Sequence, residues 1–280
     1  MSMYSLSQFQ SKNDRVLDDS ELRRVAPSIF AESAYSGASS RYTFIPTSQV
    51  VAALRKEGWQ PVKAAESRTR IEEKNGYQKH MIRFRHADSL ANNAPLVLGD
   101  SHAEIVLVNG HDGSSSYQIH AGLYRLVCAN GMVVADSTIE KVCTRHTGDI
   151  IGQVIEGTYS IIDAAPRAAE KVASWQALQL SAREREVFGA AALELKWEGE
   201  TAPVDAARVV QPRRVADNQP NLWATFNTVQ ENLLRGGMRG RGATGKRTTT
   251  REVSGVSENV RLNKALWTLA DEFAKLKRAA

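Results

Sequence analysis

The sequence predicts an α+β fold: an antiparallel β-meander sheet over about 59–146, packed by helices, with a helical C-terminal region. Three observations lead there. Residues 59–146 alternate with period two and contain two Asn-Gly pairs, the dipeptide that best adopts the positive φ angles of a two-residue hairpin loop. Residues after 146 carry capping signals and apolar stripes of helical period. Short turns between successive strands give an antiparallel sheet, not a parallel doubly wound one. The 280 residues, 42% of them apolar, suffice for a sizeable core, and no apolar run reaches the length of about 18 residues that a membrane helix needs. With 19 Gly, 8 Pro and 2 Cys, collagen-like and disulfide-scaffold classes are excluded. The opening MSMYSLSQFQSKND lacks the basic patch and apolar run of a secretory signal, so the expectation is a cytoplasmic protein with no membrane partner.

Residues 1–40 read as a polar, Ser-rich, loosely packed arm with a short helix around 19–25. The segment PTS then leads into QVVAALRKEG. Thr47 or Ser48 is expected to cap this helix, Val50, Val51 and Leu54 to line its buried face, and Gly58 to end it. Next come two extended runs around Asn75-Gly76. If those two residues form the loop, Glu72 faces Lys79, Arg70 faces Met81, Arg68 faces Arg83 and Glu66 faces Arg85. One face is then charged and wet, the other half-apolar. Arg68 opposite Arg83 is a like-charge pair that a bound anion would relieve, as would solvation. The run EIVLVN (104–109) adds a strand. A second hairpin centred on Asn130-Gly131 pairs Cys128 with Val133, Val127 with Val134 and Arg125 with Asp136. Cys128, Cys143 and His146 are metal-ligating types without a fourth ligand, so the thiols read as structural and neither a metal nor another cofactor is implied.

Beyond 146, DAAP (163–166) reads as a helix start with Pro in its first turn, and SARE (181–184) as a capping box opening a helix through Leu195. Residues 199–220 hold three prolines and form a connector. Helices over 221–234 and about 257–277 follow, with Leu222, Trp223, Phe226, Val229 and Leu233 on one stripe and Leu262, Leu266, Leu269, Phe273 and Leu276 on the other. The expected organisation is therefore an arm (1–40), an α+β core (41–198), a connector (199–220) and C-terminal helices (221–280) enclosing a basic glycine-rich loop (235–256).

Charge is unevenly spread. Residues 201–280 hold 14 Lys and Arg against 7 Asp and Glu, while the rest of the chain holds 22 against 24. The excess centres on RGGMRGRGATGKRTTTR, where Arg235, Arg239, Arg241, Lys246, Arg247 and Arg251 stand among five glycines with no acidic residue. Small residues let backbone amides and guanidinium groups approach phosphate oxygens together. GRGATGK (240–246) matches the first seven positions of a phosphate-binding P-loop, but the eighth, which should carry a magnesium-holding hydroxyl, is Arg247. Nucleotide hydrolysis is therefore not expected. Six cations engaged on single-stranded DNA would give a salt slope of about −4 in log–log form. No helix-turn-helix or zinc finger is evident, so such binding would be backbone-directed and sequence-tolerant. Arg68, Lys79, Arg83 and Arg85 are expected to form a second cationic surface. His111 and Asp112, in the turn NGHDGSSS (109–116), offer acid–base types, although sequence neighbours in extended chain point apart.

Taken in order, NGHDGSS, YRLVCANG, RHTG, NLW and VQENLLRGG, with SRY (40–42) before them and the Trp267 helix after, resemble the phage- and plasmid-borne bacterial family known as domain of unknown function 932. The resemblance spans the chain from about residue 25. It implies a mobile-element setting and carries no activity or catalytic residues. The order helix, β meander, long helix is also similar to that of ring-forming single-strand-annealing proteins, an analogy of fold alone. The function expected is sequence-tolerant nucleic-acid binding, of single-stranded DNA first, possible as a homo-oligomer and in recombination or annealing. The alternatives are a protein-interaction module aimed at a host factor and an enzyme using the His111–Asp112 turn.

Overall fold

The period-two run at Trp59 becomes the first long strand of a sheet. A computed structural model describes residues 8–10, 15–38, 42, 44–90, 97–98, 101–115, 117–125, 130–134, 143–144 and 149–279. In order, its elements are β1 (Gln8–Gln10), α1 (Asp19–Val25), α2 (Thr47–Lys56), β2 (Trp59–Glu66), β3 (His80–His86), α3 (Ala87–Leu90), β4 (Val97–Leu98), β5 (Ser101–Asn109), β6 (Tyr117–Arg125), β7 (Asn130–Val133), β8 (Cys143–Thr144), α4 (Ile150–Ala177), α5 (Ala182–Trp197), α6 (Ala206–Val209), α7 (Leu222–Arg235), β9 (Arg239–Arg241), β10 (Arg247–Thr249) and α8 (Val256–Ala279). The large sheet runs β1-β2-β3-β5-β6-β7, with β4 also on β5 and β8 on β6, and its long strands pair antiparallel. The fold is α+β with a helical C-terminal region. Among the described residues no helix is long and apolar enough to cross a membrane.

The chain divides into two compact units. The first comprises 1–126, 131–166 and 254–256; the second comprises 127–130, 167–253 and 257–280. The division falls inside α4, at Pro166, so α5 belongs with the C-terminal helices and not with the sheet.

In the first unit, α1 is closed by a capping box from Asp18 and Glu21 and buries Leu22 and Val25. Leu17, Ala26 and Ile29 beside it are fully buried, so this part of the N-terminal arm is core. The apolar sheet face carries Ala64, Ile82, Phe84, Ile105 and Leu107, all fully buried, each large member contributing about 1.5–3 kcal/mol. α2 buries Val50, Val51 and Leu54 and ends before Gly58 at φ +83°. Neither expected cap forms: Pro46 holds the N-cap position with no side-chain bond, and the Thr47 hydroxyl turns into the core.

Both Asn-Gly expectations need correction. Asn75-Gly76 does turn the chain, but it ends a wide loop that begins with a 3-10 turn at Glu72–Lys74. Gln78 folds back onto that turn, accepting from Gly76 N at 2.6 Å and donating to Asn75 Oδ1 at 2.8 Å, which stops the strands from zipping further. The strands meet instead at Glu66 opposite His80, so Arg83 lies across from Lys63 and not Arg68, and Arg85 across from Gln60 and not Glu66. Asn130-Gly131 is not a turn: both residues lie in β7. Glycine is needed there for close approach, since a Cβ on Gly131 would stand 2.4 Å from the Arg83 guanidinium carbon. Cys128, Val127, Asp136, Arg145 and His146 lie outside the described residues.

α4 runs 28 residues straight through Pro166, where the sequence placed a helix start. Proline removes one backbone bond, but Val154, Ile161, Ala164, Ala165, Val172 and Trp175 are buried on both sides of it, and that burial carries the helix on. In the second unit, α5 opens with the expected Ser181–Glu184 capping box and α7 with Asn221 bonded to Ala224 N. Residues 222–234 of α7 are all buried, polar ones included. Trp175, Trp223, Phe226 and Trp267 form one aromatic cluster, with Trp175 and Trp267 centroids 4.6 Å apart.

Candidate nucleic-acid interface

The basic loop is an ordered β-hairpin. α7 stops at Gly236, and Gly236 and Gly237 both take positive φ. A Cβ on Gly236 would meet the Arg251 backbone at 2.5 Å, so only glycine lets the returning chain pass this close. The base is stitched by Gly237 N to Thr250 O at 2.8 Å and Thr250 N to Met238 O at 2.9 Å, and Met238, Thr250 and Val253 are buried. Lys196, which burial pushes down to about 8, donates to Leu233 O at the end of α7.

β9 and β10 pair Arg239 with Thr249, Gly240 with Thr248 and Arg241 with Arg247. Alternation and pairing put Arg239, Arg241, Arg247 and Thr249 on one face. Gly240 is on the other, which is seated on the backbone at Pro203: Arg241 N donates to Pro203 O at 2.8 Å, and a Cβ on Gly240 would fall 1.8 Å from that oxygen. Gly242 N donates to Lys246 O at 2.9 Å, so the next pair, Arg241 and Arg247, occupies a non-bonded site, where facing side chains are closest.

All four residues of that face are exposed, as are Lys246 and Arg251. Among the described residues no carboxylate pairs with Arg239, Arg241, Lys246, Arg247 or Arg251. The Arg241 guanidinium donates within the hairpin, to Gly245 O at 3.1 Å. Arg235 differs. It pairs with buried Glu231 at 2.9 Å, which also takes Arg214 at 2.6 Å, while Arg213 donates to Asn232 Oδ1 at 2.6 Å. Arg235 therefore braces the root of the hairpin. The hairpin lines a shallow open groove that continues past Arg239 and Arg241 to exposed Arg208 on α6. Asp205, also in that groove, caps α6 by accepting from Arg208 N at 2.8 Å. Arg208 is a cation that sequence reasoning missed, because it lies in the connector, far from the basic cluster in sequence. The hairpin is also not a strand–loop–helix, so the GRGATGK segment does not form a P-loop.

The expected second cationic surface does not form. Arg68 is exposed in the loop after β2 and Lys79 is half-buried before β3, but Arg83 and Arg85 are only 2% and 3% exposed. They grip fully buried Glu104 from β5, at 2.5 Å and 2.8 Å, and Arg85 stacks on the Tyr124 ring at 3.7 Å. The two guanidinium groups hold the Glu104 carboxyl below its usual range against the opposing effect of burial. Both faces of β3 are covered, so the face expected to be wet lies in the interior.

His111 and Asp112 also part. The Asp112 carboxylate accepts from Ser114 N at 3.0 Å and Ser114 Oγ at 2.6 Å and lies 3.5 Å from Lys74, so it shapes the turn. The His111 ring is fully buried, with Nε2 3.1 Å from Thr47 Oγ1 and Nδ1 3.3 Å from Tyr42 OH. The same Thr47 oxygen receives Tyr117 OH at 3.1 Å and Asn109 Nδ2 at 3.0 Å and lies 3.0 Å from His80 Nε2. Ser28 Oγ meets His80 Nδ1 at 2.7 Å. This is an interior polar knot that ties the start of α2 to β3 and β5, and His111 and Asp112 form no dyad. Burial, reinforced by His111, pushes His80 down to about 3. Folded His80 thus stays neutral while the unfolded imidazole, near 6.5, gains a proton as pH falls, so its contribution is present above about pH 6.5 and lost below it. Between pH 7 and 5 it should remove roughly 2 kcal/mol. Urea titrations of the wild type and His80→Gln should differ by this slope, which separates it from Glu66, whose carboxyl burial raises. Among the described residues no group of three or more His, Cys, Asp or Glu could hold a metal ion.

An α+β sheet unit, a helical unit and a glycine-laced arginine hairpin define the class. The chain belongs to the family described as domain of unknown function DUF932, whose profile matches residues 34–267. It is 40% identical over 260 residues to the UPF0380 protein YfjQ of Escherichia coli K12, covering 93% of this chain and 92% of that one. The UPF0380 protein YafZ of the same organism matches with the same identity and coverage. No solved structure matches the chain.

Proposed function

We propose that this protein binds nucleic acid through the β9–β10 hairpin, as a sequence-tolerant binding protein and not an enzyme. The observation that carries the reading is the face formed by Arg239, Arg241 and Arg247, exposed and without carboxylate partners among the described residues. Two arginines opposed at the closest cross-strand site repel one another, and a polyanion removes that repulsion while satisfying their forked donors. The backbone that carries these guanidinium groups is already seated at Pro203, so on binding only the side chains have to be ordered. The proposed site of action is the cytoplasm, the compartment the sequence leads one to expect. The mobile-element resemblance suggests recombination or annealing as its use, with copies of the chain adding further cationic faces in a homo-oligomer.

The test is fluorescence polarisation with a labelled oligonucleotide across a salt series. Five solvent-facing cations should give a log–log slope of about −3.5 on a single strand or about −4.5 on a duplex. Replacing Arg239, Arg241, Lys246, Arg247 and Arg251 with Ala should bring the slope close to zero. No binding at about 50 mM salt, or a slope unchanged by the five substitutions, overturns the proposal. Retention of a host protein with no nucleic-acid affinity would then favour the protein-interaction reading.

A further inference from the structure

We infer that the form of nucleic acid this hairpin prefers is a duplex, held across the phosphates by the Arg239–Arg241–Arg247 face, with Arg208 extending the contact. The inference rests on the nucleic-acid reading and deepens it. The sequence alone suggests a single strand; the geometry of the groove points the other way.

The first reason is what lines the groove. Sequence-tolerant single-strand binding combines a cationic track with aromatic rings on which unpaired bases stack, each worth about 1–3 kcal/mol. Residues 235–251 contain no Phe, Tyr or Trp, and the groove walls add Ala202, Pro203, Val204, Ala207, Gln211 and the Asp205 carboxylate beside the cations, with no aromatic ring among them. A single strand laid here would expose its bases to water and gain only phosphate contacts. Those are available from a duplex at twice the density, about one charge per 1.7 Å of axis against one per 3.4 Å along a strand.

The second reason is rigidity. Gly240 abuts the Pro203 carbonyl, which seats β9 at that point and leaves the arginines on the face away from the contact, while Thr248 opposite Gly240 stays exposed. On that face Arg239 and Arg241 lie two residues apart along one strand, about 6.7 Å, and Arg247 stands directly across from Arg241. A fixed two-dimensional array of cations suits a fixed array of phosphates. A duplex has that array before binding, whereas a single strand must be ordered with no stacking to compensate. The tip, Gly242-Ala-Thr-Gly245, has no bulky side chain to hold the face away from a groove wall. Arg208 lines the groove beyond the hairpin, where its guanidinium donates to Gln211 Oε1 at 2.7 Å and, being exposed, keeps further donors for a phosphate.

The experiment compares a labelled duplex of about 30 base pairs with each of its component strands, for the full chain and for Arg208→Ala and the triple variant Arg239→Ala/Arg241→Ala/Arg247→Ala. The expected result is duplex binding about tenfold tighter than either strand. The triple variant should abolish that preference, and Arg208→Ala should weaken duplex binding about two- to fivefold with little change on single strands. Equal or tighter binding of the single strands, or a preference that survives the triple variant, overturns the inference while leaving nucleic-acid binding intact. No binding of either form overturns the underlying reading instead.

Discussion

Glu104→Gln should be the most damaging single substitution in the sheet, costing about 3–5 kcal/mol of folding stability. The side chain is isosteric, so no cavity opens; only the charge leaves. What remains is the pair Arg83 and Arg85, both nearly inaccessible to water, whose shared counter-charge at 2.5 Å and 2.8 Å has gone. An amide oxygen can accept from one of them, but its NH2 group faces the other as donor against donor. Arg83 keeps its bond to Met132 O at 2.7 Å, so the strand pairing is not expected to dissolve, only to weaken. Urea unfolding at pH 7 should show a large drop in midpoint with an unchanged slope. A loss under about 1 kcal/mol would mean that the carboxylate does not offset the desolvation of its partners. The triple variant Arg83→Met/Arg85→Met/Glu104→Leu should recover part of the loss, as replacement of a whole buried charge triad by apolar groups can do.

The second large effect is expected at a residue with no charge. Gly240→Val leaves every cation in place, yet it would put a Cβ 1.8 Å from the Pro203 carbonyl oxygen. That neighbour is backbone and cannot rotate away, so the hairpin must lift and the Arg241 N to Pro203 O bond is lost. Nucleic-acid affinity should fall about tenfold or more, because the arginine face is no longer held as one array, while overall stability changes by only about 1–2 kcal/mol. Polarisation and urea unfolding on the same preparation separate the two effects. Full affinity in the variant would show that net charge suffices and that seating is irrelevant.

Reading the sequence located most helices and the hairpin's cations but failed where long-range packing decides. The Ser181–Glu184 box and the apolar stripe through Leu222 and Phe226 are local signals, and both formed as expected, with Asn221 supplying a cap that was not anticipated. The β2–β3 register was not legible, because it is set by Gln78 folding back on Asn75 and by burial of Ala64, Ala65 and Ile82, not by the Asn-Gly pair itself. Gly131 carries the same letters as a turn and serves instead to admit Arg83. Thr47 looked like a cap and turned inward, since a hydroxyl reachable by His80, His111, Asn109 and Tyr117 is needed more in the core than at the helix end. In the candidate site, the cluster from 235 to 251 was visible as composition. That Arg235 braces, Arg208 joins and Arg239, Arg241 and Arg247 share a face became visible only with the three-dimensional structure.

α7 presents no wet side: residues 222–234 are enclosed all round, with Gln230 bonded to Asn263 and Asn232 to the Val209 carbonyl. Its polar groups are held by α8 and α6, so they cannot be loosened without leaving buried donors and acceptors unpaired. Because the chain passes straight from its last turn into Gly236, the arginine ribbon is rooted in that enclosed helix, and a substitution that loosens α7 unseats the ribbon as well.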